Sequence, residues 1–138
     1  MSYKEKRALI SLVAVWIVGI GFGVGLWRHP PPTPVAAVPG VLGAFILLAG
    51  IMLVSYLALA IGVGFKEARR PSDERDRLVQ LASQRNAGWI GIIGLWAIPW
   101  FTINPSPRAM IILASLGMFI LSQIVLYGSE LYYYRRGL

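Results

Sequence analysis

The sequence predicts an all-α integral membrane protein of four transmembrane helices, with both termini cytoplasmic and a short cytoplasmic amphipathic helix leading into the third span. Three observations carry this. Of 138 residues, 57% are hydrophobic and 14% charged, with mean hydropathy +0.65, whereas soluble domains carry about 25% charged residues. Four apolar stretches, at 8–27, 41–65, 86–103 and 109–128, have about the 20-residue length that crosses a hydrocarbon core of about 30 Å. The basic residues lie between or beyond these runs and never inside them. One domain, 1–138, is expected at this length.

The first stretch follows the positive start Lys4-Glu5-Lys6-Arg7. Its apolar run exceeds the roughly 7–15 residues of a signal-peptide core, and no small-x-small site follows it directly, so it reads as a retained span. The outer loop Arg28-His29-Pro30-Pro31-Pro32-Thr33-Pro34 reads as extended, polyproline-like chain. The second stretch follows, and then the loop 66–85, the one sizeable polar segment. There Pro71-Ser72-Asp73-Glu74 is a helix start, with Ser72 or Asp73 available to cap exposed N–H groups and acids suiting the helix dipole. Asp73 and Arg77, four apart, can pair. Leu78, Leu81, Ala82 and Arg85 carry the helical pattern onward, so a helix from about Asp73 is expected to run into span three. Pro99 lacks an N–H and frees the Leu95 carbonyl, predicting a kink. Asn104-Pro105-Ser106-Pro107 then makes a turn before span four.

Orientation follows from the 13 lysines and arginines. Lys4, Lys6 and Arg7, then Lys66, Arg69, Arg70, Arg75, Arg77 and Arg85, then Arg135 and Arg136 share one side; only Arg28 and Arg108 lie on the other. Basic residues in short loops stay inside, which predicts a multi-pass protein of a prokaryotic cytoplasmic membrane with both termini cytoplasmic. Aromatic belts agree, with Trp27, Trp100 and Phe101 at the outer boundary and Tyr3, Phe65, Trp89, Tyr132, Tyr133 and Tyr134 near the inner one. Tyr132 to Arg136 would anchor the last helix among anionic lipid headgroups. The same topology explains the net charge of +7 without nucleic acid.

Three groups of residues stand out. Gly19/Gly23 and Gly21/Gly25 in span one are small-xxx-small pairs, and Gly88, Gly91 and Gly94 repeat the theme in span three, with Gly43 and Gly50 in span two. Such faces let helices approach closely, within one bundle or between subunits. The polar groups inside the apolar runs are Ser11, Ser55, Tyr56, Ser115, Ser122 and Gln123. Gln123 is the costliest to leave unpaired, and Ser11, Ser55 or Tyr56 lies at a depth to bond it. Asp73, Glu74 and Asp76 form a carboxylate cluster, but Arg75 and Arg77 lie among them and helix capping already accounts for the acids, so the segment reads as a partner-docking candidate and not as a metal site.

Composition also narrows the function classes. No cysteine is present, which removes disulfides, thiolate metal sites and cysteine nucleophiles. Proton-coupled carriers place an ionisable residue inside the membrane, and small multidrug-resistance carriers depend on a first-span glutamate that is absent here. Fluoride channels of similar size insert in both orientations, against this charge bias. The single histidine, His29, stands in a loop opposite the acids, leaving no paired haem ligands and no Ser-His-Asp set. The reading is non-enzymatic, with no catalytic residue, metal or cofactor.

The stretch Asp73-Glu74-Arg75-Asp76-Arg77-Leu78, with Arg85 and the third span behind it, resembles an uncharacterised prokaryotic family of small predicted four-span membrane proteins that carries an Asp-Glu-Arg-Asp/Glu motif before its third span. The likeness covers about fifteen residues; it implies the four-span fold and points to Asp73–Arg77, and it implies no activity or cofactor. The function expected is an accessory, assembly or regulatory subunit that packs against a membrane-protein partner or itself. The alternative is a small homo-oligomeric channel or transporter passing a neutral or weakly charged solute by Gln123, Ser55 and Tyr56.

Overall fold

The computed structural model describes residues 2–29, 32–64, 73–103 and 108–136, and all regular structure among them is helical. Four helices follow in order: α1 (Tyr3–Arg28), α2 (Pro34–Val63), α3 (Glu74–Ile103) and α4 (Arg108–Arg136). The segments Tyr3–Arg28, Val35–Val63 and Ile111–Arg136 are long and apolar enough to cross a membrane. The 26 to 30 residues of each helix span about 40–45 Å at about 1.5 Å per residue.

Local chemistry sets the ends. Ser2 caps α1 in a capping box: its hydroxyl accepts from the Glu5 N–H at 3.2 Å, and the Glu5 carboxylate accepts from the Ser2 N–H at 3.2 Å. Thr33 caps α2 through the Ala36 N–H, and Pro34 takes the first helical position, where its missing N–H costs nothing. The helix therefore begins seven residues before the apolar run at 41–65, and the extended linker expected across Arg28–Pro34 is shorter than its prolines imply. α2 closes at Gly64, whose φ of 94° lies in the left-handed region open to glycine. Phe65, the loop 66–72 and Asn104-Pro105-Ser106-Pro107 lie outside the described residues.

α3 is one continuous helix. It joins the amphipathic segment expected from Asp73 to the third apolar stretch and passes through Pro99 to Ile103. Asp73 caps it by accepting from the Asp76 N–H at 2.8 Å, while the Asp76 carboxylate accepts from the Asp73 N–H at 3.1 Å. Asp73 is thereby committed to the cap, and its expected pairing with Arg77 is not formed among the described residues.

Packing is centred on α4. α3 lies along α4, α1 packs against both α4 and α2, and α2 only touches α4, where Phe45 meets Phe119 with ring centroids 5.3 Å apart. The spatial order is α2–α1–α4–α3, an open bundle in which α2 and α3 each lean mainly on one neighbour. Their outer faces carry large apolar side chains, such as Ile46, Val54, Leu95 and Trp96, the last 76% exposed. Exposure of this kind is unusual for a soluble monomer and ordinary for helices bathed in lipid. The core is correspondingly small and includes Ala8, Ala14, Val15, Val79 and Ala87.

Candidate functional site

The starts of α1 and α3 and the ends of α2 and α4 meet at one end of the bundle, here the basal end, and the polar chemistry collects there. Asp76, one turn into α3, forms an ion pair with Lys4 of α1. Tyr134 of α4 stands close to the same carboxylate, and the Arg75 guanidinium donates to the Tyr134 carbonyl at 3.3 Å. That carbonyl lies in the last turn of α4, where helix geometry leaves it without an N–H partner. Three helices are thus tied by residues of the Asp73–Arg77 segment. Burial opposes ionisation of Asp76, but the hydrogen bonds from Lys4 and the Asp73 backbone outweigh it and hold the carboxyl below its ordinary range. The Tyr134 phenol is pushed up to about 12 by its burial and by the negative charge of Asp76.

One turn further in lies Glu130 of α4, 7% exposed. Arg7 of α1 is the cation that acts on it. Beside it runs a chain of hydroxyls. Ser11, fully buried, donates its single hydrogen to the Arg7 carbonyl at 2.9 Å. In its bond with Tyr56 of α2 the serine oxygen must therefore accept, and Tyr56 donates. Tyr127 of α4 stands near Tyr56 and Glu130. The Ser11–Tyr56 bond joins α1 to α2 beside α4. α3 is joined to α4 by Asn86, which donates to Ser129 at 3.2 Å and to Tyr133 at 3.0 Å, and by Ser122, which donates to the Ala87 carbonyl at 3.1 Å. Ser83, fully buried on α3, has no partner for its hydroxyl.

The residues singled out in the sequence fall into distinct places. Asp73, Arg75 and Asp76 belong to the basal clasp, while Glu74 and Arg77 face outward. Tyr56 belongs to the hydroxyl chain, and Ser55 is half-buried on α2. Gln123 lines a narrow cleft among α1, α2 and α4 with Val15, Gly19, Phe45 and Phe119, of about 30 Å³, room for a water-sized molecule. The hydrogen bond expected from Gln123 to Ser11, Ser55 or Tyr56 is not formed, because Ser11 and Tyr56 bond to one another. Ser115 donates within its own helix to the Ile111 carbonyl at 2.8 Å.

The glycines divide in two. A Cβ on Gly19 would come within 2.9 Å of Ile120, and one on Gly94 within 3.0 Å of Met118, so these are the close approaches of α1 and α3 to α4. Gly21, Gly23, Gly25, Gly88 and Gly91 would each meet nothing within 4 Å. Gly23 lines a groove of about 260 Å³ between α1 and α4, bordered by Trp16, Ile20 and Ile124.

Glu130, Lys4, Tyr127, Tyr134 and Asn86 are not found by a search for polar groups inside apolar runs, since all but Tyr127 and Asn86 lie beyond them. A signal was nevertheless present: Gln123, Tyr127, Glu130 and Tyr134 are spaced four, three and four apart, which puts them on one helical face. No protein-family model, curated protein or solved structure matches this chain.

Proposed function

We propose that the chain crosses a prokaryotic cytoplasmic membrane four times, with the basal end cytoplasmic, and serves there as a non-enzymatic assembly or regulatory subunit. The observation that supports this best is the set of small-residue faces left open by a bundle whose outer helices each lean on one neighbour. Glycine inside a helix costs about 1 kcal/mol relative to alanine, a cost offset where another helix approaches closely. Within the chain Gly19 and Gly94 meet that condition, and Gly21, Gly25, Gly88 and Gly91 do not. On this reading Gly21 and Gly25 of α1 meet a helix of a partner or of another copy. Arg75 and Asp76 hold the basal end in shape, leaving Glu74 to contact a cytoplasmic partner.

The transport alternative draws on Gln123 at its cleft, which in the single chain has about 30 Å³, room for a water-sized molecule; the open glycine faces favour the subunit reading. The test is a photo-crosslinking amino acid placed in native membranes at Gly21 or Gly25, with Val54 and Ile61 of α2 as outward-facing apolar controls. Protein adducts at the glycines and lipid adducts at the controls are expected. Equal lipid labelling at all four positions overturns the proposal. Reporter fusions at both termini test the topology, and an extracytoplasmic terminus refutes it.

A further inference from the structure

Depth along the bundle can be read from its cross-helix contacts, and it exposes a mismatch. Lys4 and Asp76 pair, so they stand at one level, and α1 and α3 both rise from there at about 1.5 Å per residue. Ala8, where the apolar run of α1 begins, is then level with Gln80. The apolar run of α3 begins only at Asn86, about 9 Å further in. The antiparallel register of α3 and α4 points the same way. Gly94 abuts Met118, Ala87 is bonded by Ser122 and Asn86 reaches Ser129, which sets Arg85 beside Tyr127–Glu130, at the basal edge of the apolar run of α4. The polar half of α3 therefore reaches the depth at which α1 is already apolar and the apolar run of α4 ends.

The faces of that half are sorted. Val79, Ser83 and Ala87 turn inward and are buried. Arg77, Gln84 and Arg85 are exposed, with Leu81 between them at 53% exposure and Trp89 one turn beyond Arg85 at 62%. Glu74 is the acid on this face, one turn closer to the basal end than Arg77. A guanidinium at the edge of hydrocarbon is costly unless it reaches water or an anion. Helical side chains lean toward the N-terminus, so Arg85 leans toward the headgroups. The charges of Arg77 and Arg85, the Gln84 amide and the Trp89 indole thus share one face, with the indole nearest the bilayer interior.

We propose that this outward face of α3 is a binding site for an anionic phospholipid of the leaflet at the basal end. Arg85 grips the phosphate as a bidentate donor, Gln84 adds an amide donor, Arg77 supplies the second positive charge at headgroup level, and the acyl chains lie along Leu81, Trp89 and Ile92. The proposal rests on the membrane-spanning reading and is separable from it. Retention in the bilayer after alkaline extraction tests that reading, and lipid selectivity tests the site.

The experiment is native mass spectrometry of the purified full chain released from nanodiscs of equal phosphatidylcholine and phosphatidylglycerol. The wild type is expected to retain one phosphatidylglycerol selectively. Arg85→Gln is expected to lower that retention about tenfold, the loss of a charge-assisted bidentate contact. Arg85→Lys should fall between them, because an ammonium keeps the charge and loses the fork. Arg135→Gln, an equal change in net charge elsewhere, should leave retention intact. Undiminished selectivity in Arg85→Gln, an equal loss in Arg135→Gln, or displacement of the lipid by millimolar inorganic phosphate would each overturn the site.

Discussion

Replacing Gly94 by alanine tests whether α3 and α4 approach as closely as the structure places them. The new Cβ would stand 3.0 Å from the Cβ of Met118, against the 3.4–4 Å of ordinary contact. The Met118 Cβ is fixed to the α4 backbone, so no rotamer change relieves the clash and the helices must part by several tenths of an ångström. Parting them also strains the Ser122–Ala87 and Asn86–Tyr133 hydrogen bonds, 3.1 and 3.0 Å long. Overpacking of this kind costs about 1–3 kcal/mol, while removing a helical glycine returns about 0.5–1 kcal/mol. A net destabilisation of about 1–2 kcal/mol follows. Gly88→Ala on the same helix meets nothing within 4 Å and should instead stabilise by about 0.5–1 kcal/mol. Unfolding equilibria of both variants in bicelles, followed by helicity or steric trapping, measure the difference. Equal stability of the two would refute the close approach at Gly94 and the register built on it.

Three further outcomes follow from the basal end. Asp76→Asn should cost about 1 kcal/mol at neutral pH, because the pair with Lys4 is only partly exposed and the cap weakens. Since the folded state holds Asp76 below its ordinary 3.8, the wild type should lose this contribution as pH falls below about 4, and the variant should lack that slope in a pH series of unfolding curves. Glu130→Gln removes a buried carboxylate and keeps its shape, and should give the more stable protein at pH 7 in the same unfolding curves; a less stable variant would show that attraction to Arg7 outweighs burial. Tyr56→Phe should cost about 1 kcal/mol by removing the donor to buried Ser11, and a double-mutant cycle with Ser11→Ala should find the two losses non-additive.

Much of the fold is legible in the residues. The helix over Glu74–Ile103 follows from an acidic, cappable start at Asp73 and the absence of any breaker before Pro99; the apolar runs at 8–27 and 109–128 each sit within a helix, and the run from 41 is helical to Val63. Register is not legible, because apolar side chains carry no marker of depth: nothing in Gly19 or Gly94 distinguishes it from Gly21 or Gly91 until Ile120 and Met118 stand opposite. Asp76 illustrates the same limit. It reads as one acid of a first-turn cluster suited to the helix dipole, whereas its ion-pair partner is Lys4, 72 residues away. Glu130 escapes notice because it stands two residues past an apolar run, where water would be the ordinary surroundings of a carboxylate, and only packing against α1 encloses it.

The position of α4 at the centre of the packing has a consequence for biogenesis. During synthesis α1 and α2 can pair as a hairpin as soon as both are made, but α3 then has no extended surface to rest on. Its Asn86 waits for Ser129 and Tyr133 of α4, the fourth of these helices to be made. Docking of α3 is therefore delayed until α4 is made, and the interval before α4 arrives is when membrane chaperones or proteases would meet an unsatisfied α3.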